Sequence, residues 1–220
     1  MNMVKRGKQK NSLKRKSLIN KKRIDFPDSI SGIYKQCWNY IKESRKFIFI
    51  MIYVFFAFAL IGYFIPAPPE VQEAVLKIFK ELKEKTEGMN QLELTLFIFL
   101  NNLQSSFLGV IFGVVLGIFP FISSMANGYI LGFVSLLAVN QEGISILFTL
   151  LPHGIFELPA VFISLGMGLR LGSFIFQKMG KKIESLKYYL FNSLLVFIFV
   201  IIPLLVIAAI IEAGFIVLFG

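Results

Sequence analysis

Long apolar runs, separated by short segments that gather nearly all the charge, leave this chain one kind of fold. Of its 220 residues 56% are hydrophobic and only 16% charged, where a soluble domain has about 25% charged residues. The mean hydropathy is +0.72. A helix of about 20 apolar residues crosses a bilayer, and in hydrocarbon every backbone N–H and C=O must be satisfied within its own element. The expected class is therefore all-α: a polytopic helical membrane protein with about five transmembrane helices plus amphipathic interfacial helices.

The charges set the expected topology. Fourteen of the 23 Lys and Arg precede Phe47, against three acids, so most of the net charge of +10 belongs to one end of the chain. Residues 1–27 read as a basic, disordered cytoplasmic tail, too polar for the apolar core of a signal peptide. A basic stretch bordering a transmembrane helix meets anionic lipid head groups, which argues against nucleic acid as its partner. Residues 28–46 mix Ile30, Ile33, Tyr34, Cys37, Trp38 and Ile41 with Lys and Arg near the helical period. That pattern predicts an amphipathic interfacial helix with Trp38 and Tyr40 at head-group level. The transmembrane bundle then occupies 47–219, with spans near 47–65, 94–118, 121–139, 144–169 and 188–213. Between the first two spans an external amphipathic segment, 70–93, holds six Glu and four Lys, with Val71, Val75, Ile78, Phe79 and Leu82 on one face. It would lie on the membrane or across the bundle mouth. The loop 170–187 carries five basic residues and one acid, so both basic segments fall on one side of a five-span count. The expected location is the cell membrane, N-terminus in the cytoplasm and C-terminus outside. Cys37, the single cysteine, excludes an internal disulfide and a multi-thiolate metal site.

Phe148 to Leu169 is the stretch the other spans would house. It holds the only histidine, His153, and a carboxylate four residues on, Glu157, which share a helix face. Ionisable groups within a membrane face a bundle interior or a wet cavity and mark a functional path. The plainer alternative is a pair that satisfies itself and glues helices together. Pro152 and Pro159 each remove a backbone donor, so a kinked or broken helix is expected around the pair. In the second span Asn101, Gln104 and Ser105 share one face, with Asn102 beside them, and lipid is a poor partner for amides. They are expected to point into the bundle, with Asn127 as the buried amide of the third span. Together with Glu212, and with Glu142 at the mouth, the residues Asn101, Asn102, Gln104, Asn127, His153, Glu157 and Glu212 form a candidate intramembrane polar site. Gly109, Gly113 and Gly117, then Gly128 and Gly132, repeat every four residues and form ridges without side chains for close helix packing.

Three chemistries would use such a set. His153, Glu157 and Glu212 are candidate ligands for a divalent metal, but a single nitrogen ligand makes a meagre zinc site, and the HExxH pattern is absent. The same groups suit proton relay or cation transport. The third option is non-catalytic, a cluster that sets helix register and offers a partner-binding groove; other membrane proteins are the expected partners, and exposed small-residue ridges would favour a homo-oligomer. No Ser-His-Asp arrangement is available because no aspartate follows Asp28. The glycines fit helix packing better than a phosphate loop. No catalytic residue and no cofactor is assigned.

The order Asn101-Asn102, NGYILG at Asn127–Gly132, PHGIFELPA at Pro152–Ala160, GLRLG at Gly168–Gly172 and PLLVIAAIIEAG at Pro203–Gly214 resembles the stage II sporulation protein M family. The resemblance covers about Leu94 to Phe219 and rests most on PHGxxE and the terminal AAxIEA. It implies an integral membrane protein of a widespread group that includes archaeal members. In endospore-formers the namesake belongs to a membrane complex with peptidoglycan-degrading partners and scaffolds them during engulfment. A non-enzymatic scaffold or assembly factor is accordingly the first functional expectation, and a transporter or channel-like module the second. An intramembrane metal-dependent hydrolase comes third.

Overall fold

The computed structural model describes residues 27–65, 67–114, 117–144, 146–176 and 182–219, helical apart from short turns and without a strand among them. All but the last residue of the basic tail 1–27 lies outside the described residues. Helix α1, Ile30–Phe64, runs through both the amphipathic segment and the first span. Its 35 residues give a length of about 52 Å, well beyond the roughly 30 Å hydrocarbon core. Ser29 starts it, its Oγ accepting a hydrogen bond from the Gly32 amide at 3.2 Å. Pro68 and Pro69 begin α2, Pro69–Thr86, where a missing N–H costs nothing. Among the apolar side chains of α2, Val75 is buried, in a cluster with Ala67 and Phe133, while Val71, Leu76, Ile78 and Phe79 stay exposed.

Asn90 and Glu93 form a reciprocal capping box that opens α3, Gln91–Ile111. A 3-10 turn, Phe112–Val114, ends this span earlier than the expected 118. Gly117 therefore sits in the connecting turn and not on a helical ridge; its φ of +68° is a left-handed conformation that favours glycine. Helix α4, Ile118–Glu142, follows, with Pro120 tolerated in its first turn. Next come α5, Ile146–Gly172, extended by a 3-10 turn to Phe176, and α6, Lys182–Val196. A π-helical turn, Phe197–Ile201, joins α6 to α7, Ile202–Phe219. The wide turn lies where the Pro203 ring would press on the carbonyl four residues earlier, and it gives that ring room.

Among the described residues five helices are long and apolar enough to cross a membrane: Ile30–Phe64, Gln91–Ile111, Ile118–Gln141, Gly154–Phe176 and Ser185–Leu218. Of the fourth, which belongs to α5, 56% of the apolar window is buried, against 17% to 39% in the other four, so α5 is the central helix. It runs through Pro152 and Pro159 as one α-helix, so the expectation of a broken element is corrected. Each proline forfeits one backbone bond, and the rest of the helical ladder continues past both.

Two sets of side-chain-free contacts assemble the bundle. A Cβ on Gly113 would collide with the Gly168 carbonyl, one on Gly168 with the Gly109 carbonyl, and one on Gly172 with the Gly113 carbonyl, so α3 and α5 touch backbone to backbone. On the other flank a Cβ on Gly128 or Gly132 would strike the Phe55 or Ala59 carbonyl of α1, and one on Gly62 the Tyr129 carbonyl of α4. Ser124 Oγ adds a 2.9 Å hydrogen bond to the Met51 carbonyl there, and the Phe55 and Phe162 rings, 5.1 Å apart, tie α1 to α5. Gly132→Ala and Gly113→Ala should each cost about 1–3 kcal/mol, because backbone and not a mobile side chain must move. Gly154→Ala, whose new methyl would find only the Leu158 side chain at 3.5 Å, should be neutral or stabilising. Thermal unfolding in detergent measures all three.

Candidate functional site

The polar residues singled out in the sequence separate into a buried set and a perimeter set. On α5 and α7 the Glu157 and Glu212 side chains are both partly buried, and each carboxylate lies within electrostatic reach of the other. This pair is the part of the expected constellation that the fold brings together. His153 belongs to α5 and Glu142 closes α4, but their side chains fall outside the described residues. Among the described residues no three His, Cys, Asp or Glu side chains gather in a way that would hold a metal ion.

The amides behave differently from the expectation. Helix α3 turns Leu94, Ile98, Ser106, Gly109 and Val110 inward, and Asn102 alone of its amides lies on that stripe, half-buried. Asn101, Gln104 and Ser105 are exposed. They cannot point inward because the contact with α5 is closed by Ser106, whose carbonyl accepts from Ser164 Oγ, and by Gly109. Asn127 is exposed too, not the buried amide expected of it. Its Nδ2 donates to the Ser123 carbonyl of its own helix at 2.8 Å, so it is satisfied locally. Gln104 borders an open groove of about 480 Å³ on the bundle perimeter, lined also by Leu100, Leu103, Phe107, Phe197 and Ile202.

At the C-terminal end of α5, thirteen residues beyond Glu157, stands a hub that the sequence reading missed. Arg170, counted there as a loop charge, lies in the last turn of α5 and is 8% exposed. Its Nη2 is 2.8 Å from Glu43 Oε2, and its Nη1 donates to Ser44 Oγ at 2.8 Å and to the Tyr40 carbonyl at 3.2 Å. The guanidinium also faces the Tyr40 and Tyr189 rings, 4.3 and 5.0 Å from their centroids, a stacking that desolvation strengthens. Tyr40 Oη in turn donates to the Tyr189 carbonyl at 3.1 Å and pairs with Ser193 Oγ. Gln36 Nε2 donates to Asn192 Oδ1 at 2.9 Å. One side chain thus fastens α1, α5 and α6. The signal was in the sequence: Arg170 is followed by Leu171 to Phe176, so it interrupts an apolar run and does not end it.

Fold and site together define a multi-pass α-helical membrane protein with a carboxylate pair near the middle of its central helix and a caged arginine at that helix's C-terminal end. The sequence profile described as stage II sporulation protein M matches residues 51–216, three-quarters of the chain, and the protein belongs to that family. The match takes in the first span, beyond the Leu94 limit of the motifs. No curated protein and no solved structure matches the chain.

The two partners in the hub should respond unequally. Arg170→Gln takes a donor from the buried Ser44 hydroxyl and empties the space between the Tyr40 and Tyr189 rings, and should cost about 1–3 kcal/mol. The Glu43 side chain is 52% exposed, so Glu43→Gln should cost about 1 kcal/mol or less. Denaturation of the two variants in detergent checks the ranking.

Proposed function

We propose that this protein is a non-enzymatic membrane scaffold, a glycine-locked bundle that holds other membrane-embedded helices against its perimeter. The observation that carries the reading is the outward face of α3. Asn101, Gln104 and Ser105 are exposed there beside an apolar groove, and hydrocarbon offers an amide no hydrogen-bond partner. A second transmembrane helix does. In this reading the Arg170 end faces the cytoplasm, the basic tail meets anionic head groups, and α2 lies on the outer side, within the cell membrane. The Glu157–Glu212 pair favours a second reading, proton or cation transport, since two neighbouring carboxylates within a bundle are costly when both are charged and are relieved by taking up a proton or a cation.

Two measurements decide between them. A benzophenone side chain placed at position 104 in native membranes should yield a covalent adduct with a membrane protein, whereas one at Leu60, 60% exposed on α1, should yield lipid adducts. Purified protein in liposomes should leave proton and cation flux at the level of empty vesicles. A protein-dependent flux lost in both Glu157→Gln and Glu212→Gln, with no adduct at position 104, would replace the scaffold by a transporter.

A further inference from the structure

We infer that the helix seated on the α3 face is the same face of a second copy of this chain, so that the scaffold is a two-fold dimer; this rests on the scaffold reading and names the occupant of its groove. Depth is the first argument. Helix α3 has 21 residues and is about 31 Å long, and Asn101 and Gln104 lie roughly 15 and 20 Å from its first residue. They sit near the middle of a membrane crossing, out of reach of water. Among the described residues none makes a hydrogen bond to the side chain of Asn101, Gln104 or Ser105.

Symmetry is the second. Two copies inserted with the same topology are related by an axis along the membrane normal, so each residue meets its counterpart at equal depth. An amide carries both donors and an acceptor, so a face of amides is its own complement. Asn101 and Gln104 therefore find partners in a second copy without any requirement on a foreign sequence. A third argument is shape and charge. The exposed Leu96, Leu100 and Phe107 stand as knobs on the face that also holds the groove, and the Phe107 and Phe197 rings are 5.5 Å apart along it. From Leu94 to Phe119 the chain has no ionisable residue, so two copies bring no like charges together.

The test uses the full chain in a Cys37→Ser background, which removes the single native cysteine. Leu100→Cys and Phe107→Cys, both exposed on the α3 face, and Leu60→Cys on α1 as the control, are oxidised in membranes at low expression. Disulfide-linked dimers at both α3 positions and not at Leu60 are the expected result. Asn101→Leu with Gln104→Leu should weaken dimerisation about tenfold or more in a dilution series in lipid, with the unfolding temperature unchanged. Absence of α3 dimers, or dimers formed equally at Leu60, overturns the second copy. If the position-104 adduct then contains a different membrane protein, the scaffold reading stands with another occupant. If there is neither dimer nor protein adduct, both fall.

Discussion

Gly113 lies against the Gly168 carbonyl with no room for a side chain on either residue, and the rest of the bundle is arranged by that contact. In a bilayer the hydrophobic effect does not drive helices together, because lipid tails are as apolar as leucine; close van der Waals contact has to do it. Removing side chains at Gly109, Gly113, Gly168 and Gly172 lets α3 and α5 meet through backbone. The same device at Gly62, Gly128 and Gly132 brings α4 onto α1. Helix α5 is left in the middle with a closed face towards α3, which fixes which residues of α3 must look outward.

That closure explains where the sequence was legible and where it was not. Four-residue glycine spacing marks close packing, and all five glycines named from it sit against backbone or a leucine side chain, although Gly113 and Gly117 do so from turns and not from a helix ridge. The ridges do not reveal their partners. Gly168 and Gly172 flank an arginine, and a charge next to a glycine reads as the end of a span. The amides were misplaced for a related reason. Polarity shows that a side chain needs a partner, but not whether the partner is inside the bundle, in its own helix, as Ser123 is for Asn127, or beyond the chain. The prolines mislead in the same way, since a lost donor predicts a break only where nothing else holds the helix. Helix α5 continues through Pro159 although that ring is exposed, and a π turn accommodates Pro203.

Arg170 shows how a buried charge is tolerated at the end of such a helix. Its environment supplies a carboxylate, a hydroxyl, a carbonyl and two aromatic faces, which together replace much of the hydration it loses. The last-turn position adds the favourable field of the helix C-terminus. The Tyr40 carbonyl carries an unusual load, accepting from Ser44 Oγ at 2.8 Å as well as from Arg170. This is where α1 changes neighbours. Before it, Gln36 and Tyr34 meet Asn192 and Phe199; beyond it, Ile48 packs on Gly166 and Phe55 on Phe162. The arginine therefore joins the part of α1 with the basic residues to the part that crosses the membrane.

The two polar systems make opposite demands on the fold. The Arg170 hub and the glycine contacts hold α5 along most of its length, so sliding α5 against α3 would force backbone through backbone. Alternating access by rigid-body rocking of α5 on α3 would have to break those contacts together, whereas a scaffold needs them kept. The Glu157–Glu212 pair lies near the middle of α5, away from the hub, in a helix otherwise free of acidic side chains. Any movement that served proton or cation exchange would have to be confined to that part. The perimeter amides make no such demand: a fixed bundle presents them at a constant depth and spacing, which recognition by another transmembrane helix requires.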